Sequence, residues 1–340
     1  MIKYQIKITD LDGNEQGEFE NFKSLYFDHV LNREGSCKFK VRLSDNKLNT
    51  SMIQLGKREV HIYRENTKVW GGNIILLQGA LSKNNDDVTI YAKGFFDLFK
   101  TRYTGALREF SSTDAGAIAW TLIDESQSLT DGDFSITESD IDTSVDRDRT
   151  YQYKNIYDAI IQLSEVKNGF DFEITAAKEF KVHYPHRGDD LSDSQVLEWG
   201  KNIEKISRFE LDFSEPANQI TVLGSGQGEA MNTATRTNTT MRSAYKLRQL
   251  IYPYKDVEGI SFLEAKGDEL LIKKAHVRSE YEVVQKAESY PTYGILQIGD
   301  WIRIKVSYNL LELFDVVKIR KQGVYVNGGK EVMVYNFQYN

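Results

Sequence analysis

Val69-Trp-Gly-Gly-Asn-Ile-Ile-Leu-Leu77 followed by Asp87-Val-Thr-Ile-Tyr-Ala92 is the stretch on which the fold turns, because it occurs twice. Adding 244 to each number carries Trp70 through Lys93 onto Phe314 through Phe337 without a gap. Ile75 then meets Ile319, Gln78 meets Gln322, Gly79 meets Gly323, Val88 meets Val332 and Tyr91 meets Tyr335. Just upstream, Val60 and Ile62 fall on Ile304 and Val306, so the apolar alternation stays in phase from Gly56 onward. A one-residue slip in a strand reverses every side chain, so preserved parity predicts the same buried face in both copies. Each copy reads as strand, polar turn, strand, turn, strand, the pattern of an internal duplication.

Composition bounds the rest. At 340 residues the chain exceeds one ordinary core, and two or three domains are expected. The single Cys37 excludes an internal disulfide and fits folding in a reducing cytoplasm. No apolar run is long enough for a membrane helix, so stable membrane insertion is not expected. A formal net charge of −7 argues against gripping nucleic acid through its phosphates, which needs an excess of lysine and arginine. Nineteen tyrosines against four prolines favour sheet-rich packing over disordered linkers.

In chain order, Ile2 to Ile8 alternates and enters the turn Asp10-Leu-Asp-Gly-Asn14, a hairpin signal rather than a calcium loop, since Gly13 is misplaced for one. Ser24 to Asn32 and Ser36 to Leu43 read as strands, with Cys37, Phe39, Val41 and Leu43 on one face. Gly71 and Gly72 inside a strand predict a bulge or sharp bend. His61 alternates with Val60 and Ile62 and is expected on the wetter face. Asp114 to Asp124 reads as a helix capped by Ser112 or Thr113, and Asn155 to Glu165 as a second one. Phe170 to Thr175 and Glu179 to Tyr184 form a predicted hairpin. Arg208 to Phe213 and Asn218 to Leu223 read as a strand pair, Gly224 to Arg242 as a polar segment, and Ser261 to Val277 as a helix.

The expected fold is therefore mixed α+β and β-rich, with two related β-barrel-like domains. Residues 1–98 form the first and 99–207 a mixed α/β domain. Residues 208–237 and 293–340 form the second barrel, interrupted by a helical insertion, 238–292, that packs with the α/β domain.

Chemical motifs are sparse. Gly224-Ser-Gly-Gln-Gly228 lacks both the dinucleotide glycine spacing and a following helix. His183-Tyr-Pro-His-Arg-Gly-Asp-Asp190 gathers two histidines and two aspartates but fits no zinc spacing. Carboxylates from Asp124 to Asp148 crowd one acidic loop, where a glycosidase would need two held across a cleft. Cys37 has no histidine partner in the pattern, and no serine stands in a nucleophile elbow. No catalytic residue, cofactor site or metal site is assigned, and no enzymatic activity is expected.

Three phrases carry a resemblance. Arg58-Glu-Val-His-Ile-Tyr-Arg64 with Val69 to Ile75 and Tyr91-Ala-Lys-Gly-Phe-Phe-Asp-Leu-Phe99, then Phe213-Ser-Glu-Pro-Ala-Asn-Gln-Ile-Thr-Val-Leu-Gly224, then Tyr290-Pro-Thr-Tyr-Gly-Ile-Leu-Gln-Ile-Gly-Asp-Trp301, resemble tail hub proteins of tailed bacteriophages. The stretches are similar to the contractile-phage baseplate hub and to the amino-terminal structural part of siphophage tail-associated proteins. The resemblance implies a homotrimeric ring in which two related barrels per chain present six units to a sixfold tail tube. It implies as partners the tail tube or distal tail protein, the tape-measure protein and a distal fibre or spike, with DNA passing through unbound. It places the protein at the virion tail tip, assembled in the host bacterial cytoplasm. Repeat or inter-subunit candidates are Trp70, Gly71, Gly72, Gln78, Tyr91, Trp301, Phe314, Gln322 and Tyr335. The chain stops at Asn340 after the second copy, where relatives continue into lytic or fibre domains, so hydrolysis is not expected here. A tail-tip protein that binds host carbohydrate, and less so a cell-wall hydrolase, are the competing readings.

Overall fold

Period-two alternation builds the first strands. In the computed structural model, which describes residues 2–45, 47–82, 86–254 and 259–338, β1 (Tyr4–Asp10) turns into β2 (Glu15–Phe19). The Asp10 carboxylate accepts from the Asp12 and Asn14 amides, which closes the turn without a cation. β3 (Ser24–Val30) and β4 (Arg33–Arg42) form a hairpin. The first repeat copy follows as β5 (Arg58–Arg64), β6 (Thr67–Gly79) and β7 (Asp87–Gly94).

The mixed region opens with a 3-10 turn (Phe95–Thr101) and β8 (Arg108–Asp114), followed by α1 (Ala115–Gln127), β9 (Thr137–Glu138), β10 (Asp146–Tyr151) and α2 (Ile156–Ser164). It closes with β11 (Asp171–Ile174), β12 (Glu179–His183) and β13 (Val196–Glu198). Then come β14 (Ile203–Asp212), β15 (Gln219–Leu223), β16 (Thr233–Thr237), α3 (Thr239–Tyr245), β17 (Gln249–Pro253), α4 (Ile260–Lys274) and β18 (Arg278–Gln285). The second copy ends the series as β19 (Trp301–Tyr308), β20 (Leu311–Asn327) and β21 (Lys330–Gln338). Shifted by 244, the starts of β5, β6 and β7 fall within one residue of the starts of β19, β20 and β21.

Two compact units result. One comprises Met1–Lys205 with Val283–Asn336, the other Ile206–Glu282 with Phe337–Asn340. The largest sheet has thirteen strands, in the order β14-β18-β21-β20-β3-β4-β7-β6-β5-β1-β2, with β19 on β20 and β13 on β19. Ile6, Ile8, Leu25, Phe27, Phe39 and Ile62 are fully enclosed beneath it. Each such side chain contributes about 1.5–3 kcal/mol by leaving water. A second core in the first unit joins Phe96 and Phe99 to Ile118, Leu122, Ile160, Leu163, Phe172 and Phe180, and holds α1 and α2 against the β11–β12 hairpin. In the second unit, α4 covers the sheet β16-β15-β17 over Ile220, Val222 and Leu263. Gly267 lets α4 approach closely, since a Cβ there would lie 2.5 Å from Arg236 Cγ. Arg236 in turn grips Asp268 through two hydrogen bonds of 2.7 and 3.0 Å.

Several local expectations are corrected. The helix cap is Asp114, not Ser112 or Thr113: its carboxylate accepts from Gly116 and Ala117 at 2.9 and 3.0 Å, while Ser112 and Thr113 remain in β8. Leu43 lies beyond the end of β4 and is exposed, unlike Cys37, Phe39 and Val41. Arg208–Phe213 and Asn218–Leu223 are not a pair: β14 is an edge of the large sheet, and β15 lies between β16 and β17 in another. The polar segment after Gly224 contains β16 and α3, held by a Thr221–Thr235 hydroxyl contact and the Asn238 cap.

Candidate functional site

The repeat is expressed as a strand order. β3-β4-β7-β6 in the first copy has its counterpart in β14-β18-β21-β20, and the large sheet sets the two quartets head to tail. The internal junction is antiparallel pairing of β20 with β3, from Lys321 opposite Val30 to Asn327 opposite Ser24. The outer ends of the two quartets are β14 and the second half of β6. β5 covers β6 only as far as Asn73, and Gly56 N donates to Ile74 O at 2.9 Å. Among the described strands, residues 75–79 of β6 pair on one side alone, with β7. Among the described strands β14 pairs only with β18. Ile75 and Leu76 are 45% and 46% exposed, and Phe209 and Leu211 on β14 are 48% and 51% exposed. At the internal junction Leu25, Phe27 and Ile319 are at 0%.

The sequence candidates divide between these surroundings. Trp70 is buried and its indole Nε1 donates to Asp28 O at 3.0 Å, whereas its counterpart Phe314 is 70% exposed. The preserved-parity expectation fails here for a definite reason. Val69 and Ile75 are each an extra residue in β6, so Trp70 lies opposite buried Ile62, while Phe314 in the unbroken β19–β20 ladder lies opposite Lys305. Thus the bulges flank Gly71 and Gly72 rather than falling on them. At Gly72 a Cβ would sit 2.1 Å from Lys93 O, and at Gly71 one would sit 2.8 Å from the Phe95 ring. Tyr91 OH donates to Gln78 Oε1 at 3.3 Å on the surface. In the other copy Tyr335 is buried, which raises its phenol pKa, and the Gln322 side chain offsets part of that rise. Gln322 also donates to Leu296 O at 2.7 Å. Trp301 is half-buried and begins β19.

Charged groups that sequence reading passed over meet inside the first unit. Glu59, 3% exposed, accepts from Lys178 Nζ at 2.7 Å and lies 3.4 Å from His61. His61 itself is buried, with Thr9 Oγ1 at 3.1 Å from its Nε2, so the solvated histidine expected from alternation is a core residue covered on both faces. Asp171 takes Lys318 Nζ, Asn32 Nδ2 and the Arg187 amide, each at 2.9 Å. Burial works to raise the Glu173 carboxyl, but His183 at 3.1 Å and Arg187 at 2.9 Å overcome it and hold the pKa down at about 2. Burial likewise depresses His29, aided by Arg187.

Each of these carboxylates is matched to a cation or a donor. A carboxylate held that low is a poor proton donor near neutrality. Lys178 on Glu59 and Lys318 on Asp171 fix the mixed region to the sheet, and the second pair lies 147 residues apart, where no spacing could reveal it. Of the His183 to Asp190 cluster, His183 is bound to Glu173 and Asp189 N donates to Asp300. Among the described residues no group of three or more histidine, cysteine, aspartate or glutamate side chains is placed to hold a metal ion, and no helix is long and apolar enough to cross a membrane. The acidic loop carries ordered bonds, such as Asp148 accepting from Ser112 N at 2.8 Å.

No family model matches the chain, and no curated protein matches it by sequence. Solved structures do. The 43 kDa tail protein of prophage MuSo2 from Shewanella oneidensis superposes with a TM-score of 0.72 at 11% identity, covering 99% of this chain and 98% of the other. A tail protein from Neisseria meningitidis gives 0.71 at 11% identity, over 99% and 97%. The prophage tail protein gp18 from Listeria monocytogenes gives 0.63 at 13% identity, over 99% and 94%. Over almost its whole length, this chain has the fold of prophage tail proteins.

Proposed function

We propose that the protein is a structural hub at the tip of a bacteriophage tail, a homotrimeric ring with pseudo-sixfold symmetry that joins the tail tube to a distal fibre or spike. The observation that carries this reading is the strand quartet repeated head to tail in one sheet, in a chain whose fold is that of prophage tail proteins. Two related units per chain give three chains six similar surfaces, which matches threefold to sixfold symmetry, and heterologous contacts of this kind close into rings when their rotation allows.

In this reading each quartet belongs to a barrel-like domain, and the mixed region and the helical excursion stand outside the ring. The tail tube or distal tail protein, the tape-measure protein and the fibre or spike are its partners. The net charge of −7 suits a channel through which DNA slides without being held. The role is structural, with no catalysis and no cofactor.

The test is the mass of the purified full chain by light scattering, together with class averages from electron microscopy. Threefold rings with six peripheral densities are expected. A chain that stays monomeric at all concentrations, and is absent from the axis of tail particles, overturns the reading.

A further inference from the structure

We infer that the segment from Arg242 to Arg248, in the second unit, is a contact for an anionic lipid surface, met by cations and apolar side chains of one loop together. This goes beyond the hub reading and stands whether or not rings form. The segment reads Arg242-Ser-Ala-Tyr-Lys-Leu-Arg248, with three cations, two large apolar side chains and no carboxylate, in a chain whose net charge is −7. All seven residues are exposed. Among the described residues none of these three cations stands in an ion pair, whereas Arg236, Lys266 and Lys274 of the same unit each hold a carboxylate. Solvation accounts for the cations but not for Tyr245 and Leu247, which are 44% and 45% exposed among them.

Buried residues hold this display in place. Met241 is enclosed, and Asn238 caps α3 by accepting from Met241 N at 3.0 Å. Asn218, at 0% exposure, commits its whole side chain to the segment: Nδ2 donates to Lys246 O at 2.6 Å, and Oδ1 accepts from Arg248 N at 2.9 Å. Lys246 has φ 63° and ψ 177°, a conformation open to glycine and costly for lysine, which persists only where the surroundings impose it. The Arg248 guanidinium lies 5.5 Å over the Phe213 ring, and Phe213 packs on Tyr245 with centroids 4.7 Å apart.

The chemistry decides the occupant. Duplex DNA would engage the cations through its phosphates and leave Leu247 without a role. A lipid surface uses both kinds of side chain: headgroup phosphates take the cations, while Tyr245 and Leu247 enter the boundary between headgroups and acyl chains. The acidic remainder of the chain does not prevent this, because repulsion is largely screened beyond about 8 Å at physiological salt. The contact is peripheral and reversible, with no spanning element.

Sedimentation of the full-length protein with vesicles tests the inference. Vesicles of phosphatidylglycerol and phosphatidylcholine in equal parts are expected to carry the protein down, vesicles of phosphatidylcholine alone are not, and added salt should release it. Lys246→Gly removes a charge and relieves the backbone strain, so it is expected to melt no lower than wild type and to bind about fivefold more weakly. Adding Arg242→Gln should bring the loss to about tenfold or more. Leu247→Ser keeps every charge and is expected to weaken binding severalfold with the melting temperature unchanged. A duplex DNA of mixed sequence, at the same salt, is expected to stay unbound. Failure to bind the anionic vesicles, binding that the variants retain in full, or DNA bound in preference to vesicles overturns the inference. So does a loss confined to the charge variants, since phosphates would then be met without the bilayer boundary.

Discussion

Asp171 on β11 accepts a hydrogen bond from Lys318 on β20 at 2.9 Å, with side-chain exposures of 10% and 9%. The pair ties the mixed region to the second copy of the repeat. Removing one partner of a buried ion pair leaves an uncompensated charge, and Asp171→Ala is expected to cost about 3–5 kcal/mol. Replacing both, as Asp171→Leu with Lys318→Met, is expected to recover most of that loss. Urea unfolding of the three proteins checks it; equal stability of wild type and Asp171→Ala would refute the assigned role.

Acid should loosen the same region. Glu173 has an ordinary pKa of 4.5 and a folded value of about 2. A depressed carboxylate stabilises the fold above its unfolded pKa, and that contribution drains away as pH falls through the window from about 4.5 toward about 2. The shift corresponds to about 3 kcal/mol at most. Unfolding free energy measured across that window should fall in the wild type and fall less in Glu173→Gln.

Gly72→Ala tests the close approach of β6 to β7. The added Cβ would collide with backbone, Lys93 O at 2.1 Å, where no side-chain rotation relieves it. A loss of about 2 kcal/mol or more is expected. Gly56→Ala is a useful control: its φ of +69° strains any side chain, but nothing lies within 4 Å, so about 1 kcal/mol is expected. Thermal melts should rank the two in that order.

Asp114→Ala removes the α1 cap and the acceptor for the Thr143 amide and hydroxyl, at 3.0 and 2.6 Å. A cost of about 1–2 kcal/mol is expected, and Asp114→Asn should restore much of it because asparagine also caps. Denaturant midpoints of the two variants decide the point.

Local patterns made much of the fold legible. The alternation of Val60 and Ile62, and the turn residues between strands, placed the strands of the first copy to within two residues at each end. The helix read over Asn155 to Glu165 was equally plain, and α2 spans Ile156–Ser164. Failures occurred where a residue's surroundings come from distant chain. His61 has the alternation of a solvent-facing residue, yet Thr9 and Glu59 enclose it. Ser112 and Thr113 have the chemistry of caps, yet β8 pairs with β10 through Asp114 and leaves the cap to that residue.

By itself, the sequence determined that two β-units share a plan, because strand periodicity and turn chemistry are local and survive duplication. Only the tertiary structure decided how the copies differ. Two bulges in β6 turn Trp70 inward while Phe314 stays outside, and a bulge is a property of the pairing with β5 and β7, not of β6 alone. Which edges are filled, and which carboxylate meets which lysine, depend on residues as far apart as Asp171 and Lys318, whose attraction acts through space and leaves no trace in their spacing.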